Sequence, residues 1–467
     1  MPNRPSFLSF VVSTAVLISL GWGLRGYIGG GPLGAMIPGA YLALWLCLLL
    51  GIEGKRASVI TAFAAAGIGF GGEMTYGQTL GFLRSDDTVL WGVLGTIVKG
   101  GVWGLLGGAM LGLGFIADRL TFRQVAIGLG LALAGMALGL LLINQPRLIY
   151  FSDPLNKPRN ETWAGLLFAA IALLVWLRAI HAGAVPLRFA LFGLAGGMAG
   201  FGIGGVEMAF GFRLEPPLNG LPWWKCMEFT FGACLGIAYG ACAWTLRDVI
   251  KLSDKAEQPR AAVPTALLPV AAIYAGAILL AWNYSAEPLI ESVSAWPGEA
   301  IVMPIALVLL GFATFASVLA LISLRSETLA WQFAITMTFA ATVLDLSDDL
   351  AQGEGAPVSA AVRWLMLLVP VIACALLMLR WQRSERSSLA PVLIGLALAC
   401  TAVAFARLLF QPQVLEGEGM LLARYLGAVW NSRIVHGVFA AFTVYTVAAV
   451  VRKSKAAATP CSATAGG

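Results

Sequence analysis

The sequence predicts an all-α, polytopic integral membrane protein. Hydrophobic residues make up 59% of the chain, charged residues only 12%, and mean hydropathy is +0.84. A soluble domain carries roughly twice that share of charge. The apolar residues fall in repeated runs near twenty residues long, the length an α-helix needs to cross the hydrocarbon core. A transmembrane barrel would show short alternating strands instead. The net charge of +6 sits in short loops between the runs, so no nucleic-acid partner is expected; membrane lipid is.

Charged or proline-rich breaks separate about fourteen candidate spans, near 6–24, 33–52, 58–82, 89–117, 123–144, 162–180, 187–212, 221–246, 263–283, 300–323, 328–346, 359–380, 388–410 and 430–451. The first run follows Arg4 and has no Ala-x-Ala cleavage site, so it reads as an uncleaved helix. The second carries Pro38 behind a run of glycines, which suggests a broken or re-entrant element. Alternating the spans from a cytoplasmic N-terminus puts most Lys and Arg inside and most Asp and Glu outside, as the positive-inside rule requires. Both termini are then cytoplasmic, which needs an even count; thirteen spans is the alternative. The expected location is a multi-pass position in a cell membrane, a bacterial cytoplasmic membrane. A glycine-rich membrane region (1–250) precedes a cytoplasmic connection (251–262), a second membrane region (263–451) and a tail (452–467) whose composition predicts disorder.

A parallel internal repeat is expected within the first region. The segment 58–117 holds Glu73-Met74, then Lys99 and glycines at 100, 104, 108 and 112. The segment 187–246 holds Glu207-Met208, then Lys225, Glu228 and glycines at 232, 236 and 240. Glycine at every fourth position bares one helix face for close approach by another helix. Four intervening spans give both copies the same orientation.

Ionisable residues inside apolar spans are the candidate site. Glu73 lies within Gly-Gly-Glu-Met-Thr-Tyr-Gly-Gln, beside the hydrogen-bonding Tyr76 and Gln78. A lone carboxylate at that depth must be protonated or paired, and Lys99 at comparable depth is the simplest partner. Arg25 sits in the glycine-dense stretch 21–32, which suggests an unwound turn at the end of the first span. Its guanidinium can clamp a carboxylate or phosphate with two hydrogen bonds, or snorkel to headgroups. Lys225 and Glu228, one helical turn apart, can pair. Trp223 and Trp224 read as an interfacial belt. Asp345, Asp348 and Asp349, with Glu354, read as a solvated acidic helix end facing bases such as Arg363, Arg407, Arg424 and Arg433. His436 reads as a packed residue.

The candidate substrate- or ion-binding residues are therefore Arg25, Glu73, Tyr76, Gln78, Lys99, Glu207, Lys225 and Glu228. With two histidines and no Cys-x-x-C among seven cysteines, neither a metal site nor a cofactor is expected. The function these features favour is a transporter or channel for a small polar or anionic solute, coupled to a proton or cation through intramembrane glutamates. Two alternatives stand beside it: a membrane-embedded enzyme acting on a lipid-linked substrate at the outer face, and a non-catalytic subunit of a membrane complex. Whether the protein is an enzyme is left open, and homo-oligomerisation is allowed.

Overall fold

The structure, a computed structural model, describes residues 6–251 apart from 75 and 153–158, and residues 299–458 apart from 324–325, 353–359, 385–387 and 417. Described residues form helices and turns, with no strand among them. The first region contains α1 (Phe7–Ile28), α2 (Gly31–Leu50), α3 (Gly54–Phe70), α4 (Val89–Ile116), α5 (Phe122–Gly139), α6 (Trp163–Ala179), α7 (Ala184–Gly211) and α8 (Trp223–Lys251). The second contains α9 (Glu299–Ser323), α10 (Met337–Gln352), α11 (Ala360–Gln382), α12 (Leu389–Ala406), α13 (Leu421–Asn431) and α14 (Arg433–Ala458). Every predicted span within the described residues is helical; the one near 263–283 lies outside them. Ten helices among the described residues are long and apolar enough to cross a membrane, or eleven if the bent pair Gly54–Glu73 and Gly77–Arg84 forms one span.

Two local expectations change. The span with Pro38 is not broken: α2 runs unbroken over its 20 residues with the proline inside, and Gly21 of α1 lies against the Pro38 Cα. A neighbouring helix at that distance shields the backbone the proline leaves unbonded. The break falls in the third span instead, which bends by 54° after Glu73. Likewise the glycines of the 21–32 stretch do not unwind α1, which stays helical to Ile28. Gly21, Gly23 and Gly26 serve close contacts with Pro38, Phe229 and Glu228. Only Gly29 and Gly30 leave the helix, and Gly31 takes a φ of +60° to begin α2.

The glycine ladders do what their spacing predicts, with different partners. Cβ atoms at Gly100, Gly104 and Gly108 of α4 would run into the carbonyls of Gly197, Gly193 and Phe189 on α7, and one at Gly112 into Pro186. The two helices therefore meet backbone to backbone. Gly232 and Gly236 of α8 instead face α1, where added Cβ atoms would lie 2.7 Å from the Ile18 carbonyl oxygen and 2.6 Å from the Ala15 Cα. Below the glycine turns these contacts enclose an aromatic floor: Trp22 meets Trp103 and Phe231 edge-on at 4.9 and 4.4 Å, and Phe201 stacks on Phe231 at 3.7 Å. The second region docks on the first through Phe70 against Phe312 and Phe315, and through the Tyr41 hydroxyl donating to the Leu396 carbonyl.

Candidate functional site

Three chain breaks meet at one end of the bundle: the α1–α2 turn, the bend after Glu73 and the start of α8. Between them lies a cavity of about 470 Å³, lined by Arg25, Tyr27, Gly29 to Gly31, Gly72, Met74, Tyr76, Arg159, Trp224, Glu228 and Arg407 among others. Its position follows from the local sequence. Arg25 occupies the last turn of α1, and the bend of the third span drops Tyr76 from its helix onto the aromatic floor, 5.2 Å from Phe201. The first turns of α8 carry Trp224, Lys225 and Glu228 on adjacent faces.

The polar groups form one chain. Arg25 Nη1 donates to Tyr76 Oη at 2.6 Å, and Tyr76 Oη donates to Glu228 Oε1 at 3.0 Å. The same carboxylate accepts from Trp224 Nε1 at 2.9 Å and from Lys225 Nζ at 2.6 Å. Glu228 is fully buried, and Gly26 lies so close that any Cβ there would strike its carboxylate. The Arg25 guanidinium sits 5.3 Å from the Tyr76 ring centroid and 5.2 Å from that of Trp103, distances at which the ring faces attract a cation.

Satisfaction is uneven along this chain. Glu228 accepts three hydrogen bonds, two of them charge-assisted or from a buried hydroxyl, and needs nothing more. Arg25 has five N–H donors, is only 5% exposed, and has the Tyr76 bond as its one hydrogen bond among the described residues. Its Nε is buried without a partner. No carboxylate comes within ion-pair distance of it among the described residues; it reaches Glu228 only through Tyr76. Arg407 closes the far wall, donating to the Tyr27 carbonyl, while the Tyr27 ring meets His436 and Phe439 edge-on.

Of the predicted residues, Arg25, Tyr76, Lys225 and Glu228 are brought together here. Lys99 is not, and its expected pairing with Glu73 is wrong. Lys99 Nζ lies 2.6 Å from Glu161 Oε1, both side chains being 1% exposed, and also donates to Thr79 Oγ1. Glu161 further accepts from Ser152 Oγ and from the Phe151 N–H. The loop before α6 folds back to supply this carboxylate, so Lys99 is paired with Glu161 and not with Glu73. Glu73 keeps a carboxylate with no hydrogen-bond or ion-pair partner among the described residues; its carbonyl accepts from Thr162, and its neighbours Gly72 and Met74 line the cavity. Gln78 sits partly buried in the short helix Gly77–Gly81, away from the cavity lining. Glu207 is also apart: it accepts from Thr230 Oγ1 at 2.9 and 3.0 Å on the α7–α8 seam. The two Glu-Met segments thus have different surroundings.

Trp224 lines the cavity and donates to Glu228; its position four residues before Glu228 was the available signal for that contact. Arg159 and Tyr27 also line the cavity, and nothing in the sequence marked them. His436 is packed as expected, its ring nitrogens 3.3 Å from the Ala404 and Ser432 carbonyl oxygens. The side chains of Asp345, Asp348, Asp349 and Arg363, and all of Glu354, lie outside the described residues. Comparison with known proteins gave no match: no family model fits the chain, and neither a curated protein nor a solved structure resembles it significantly.

Proposed function

We propose that this protein is a membrane transporter or channel for a small anionic solute, which it receives in the cavity at Arg25. The observation that carries the proposal is the guanidinium itself, buried beside a cavity with one hydrogen bond and no counter-ion among the described residues. Leaving such a charge unpaired is costly, and an incoming anion removes the cost. Arg159 at the rim adds attraction. By the positive-inside rule the cavity end faces away from the cytoplasm, since Lys55, Arg56, Arg119, Arg123 and Lys251 gather at the opposite end.

Glu228 is held by Tyr76, Trp224 and Lys225 and so is a poor general base, which favours binding and passage over catalysis. Coupling to a proton or cation is assigned to Glu73, the carboxylate near the cavity with no partner among the described residues. In purified protein, carboxylate, phosphate or sulfate ions should raise the melting temperature of wild type and not of Arg25→Gln. In proteoliposomes Glu73→Gln should carry the same anion without responding to a pH gradient. Anion stabilisation that persists in Arg25→Gln would sink the assignment of the site.

A further inference from the structure

Resting on that cavity, we infer that the anion it takes is a tetrahedral oxyanion of the phosphate class, seated on the N-terminus of α2. The 20-residue helix α2 begins at the cavity wall with Gly30 as its N-cap and no side chain capping it. Pro32 has no N–H, and the N–H groups of Gly30 and Gly31 have no partner among the described residues. Cβ atoms at Gly30 and Gly31 would meet nothing within 4 Å, and both residues line the cavity, so open space adjoins this helix start. An uncapped helix start carries about half a positive charge and directs its N–H groups at whatever fills that space.

A helix end alone would not define a ligand. The second observation is Arg25, nine-tenths buried, lining the same cavity, with Nε unpartnered. Donors thus approach from α1 and from the α2 start, with the Arg159 side chain at the rim. A carboxylate presents two oxygens in one plane and can meet one of these directions well. A tetrahedral oxyanion presents oxygens along each. The glycines here have separate uses: Gly29 lies close against Gly34, Gly31 takes the positive φ that begins α2, and Gly30 and Gly31 leave the backbone bare at the cavity.

The test uses the full-length protein in neutral detergent and four variants. Gly30→Asp and Gly30→Asn place a side-chain oxygen at the α2 start, one charged and one neutral, where it caps the Leu33 N–H and occupies the space an anion would take, at a φ of −88° that any residue adopts. Gly30→Ala adds bulk without a cap, and Arg25→Lys keeps charge without the fork. Inorganic phosphate, sulfate and acetate are titrated against the melting temperature. Phosphate and sulfate should stabilise wild type, acetate should do so at least tenfold more weakly, both caps and Arg25→Lys should weaken phosphate tenfold or more, and Gly30→Ala should weaken it less than either cap. The two caps should match or exceed wild type in melting temperature without anion, which separates blocked binding from misfolding. If acetate binds as tightly as phosphate, or the caps leave phosphate binding intact, the inference fails while an anion cavity at Arg25 stands. If none of the anions binds wild type, both fail. Mass spectrometry of the purified protein distinguishes the sources: phospholipid retained by wild type, displaced by phosphate and missing from both caps identifies a lipid headgroup, and phosphate binding with no retained lipid identifies the free ion.

Discussion

Two buried cations, Lys99 and Arg25, contrast a charge that the chain pairs within itself with one that it leaves facing a cavity. Lys99 sits among Glu161, Thr79 and a backbone-anchored loop, and its carboxylate partner is itself bonded to Ser152 and the Phe151 N–H. Arg25 has a cavity on one side, aromatic faces at 5.2 and 5.3 Å, and a single hydroxyl. The fold completes the first and leaves the second open. Both are basic and buried; what differs is whether the chain itself supplies the counter-charge.

The largest effect that could break this contrast is on Lys99. Replacing it with Met leaves Glu161 buried and unpaired and should cost about 3–5 kcal/mol in a detergent unfolding titration; Glu161→Leu added to it should recover much of the loss. If Lys99→Met is as stable as wild type, the pair is not structural. Next comes the α4–α7 seam: Gly108→Val drives a side chain into the Phe189 carbonyl and should lower stability by about 1–3 kcal/mol, read as a fall in melting temperature. For Arg25→Gln the contrast predicts the reverse pattern, stability within about 1 kcal/mol of wild type but anion stabilisation lost. The smallest effect belongs to Glu207→Gln, which keeps an acceptor for Thr230 and should move stability by no more than about 0.5 kcal/mol with anion binding unchanged. A loss of binding in that variant would restore Glu207 to the site.

How legible this was in the sequence follows the range of the interactions. Apolar runs and four-residue glycine spacing are local signals, and they located the helices and the bared faces of α4 and α8. The Lys225–Glu228 pair is three residues apart and could be read directly. Lys99 could not be given its partner, because Glu161 lies 62 residues away in a connecting loop and helical depth alone made Glu73 look equivalent. The glycines near Arg25 were ambiguous for a related reason. Unwinding and close packing both call for a missing Cβ, and only the position of Phe229 and Glu228 decides between them at Gly23 and Gly26. The helix start at Gly30 was hidden because a cap is recognised by a side chain, and here none is present.

The α4–α7 seam has a mechanical consequence. Side chains that interdigitate can change rotamer and let two helices slide by fractions of a turn, whereas carbonyls pressed against bare Cα atoms have no such slack. α4 and α7 must therefore travel as one stiff plank. On the proposed transporter reading, a rocking that opens the cavity alternately to each side would run through contacts other than this seam, and we propose the one where Tyr27 meets His436 and Phe439 edge-on. On that reading a crosslink across the seam is expected to leave transport intact, and a crosslink across the Tyr27–His436 joint to stop it.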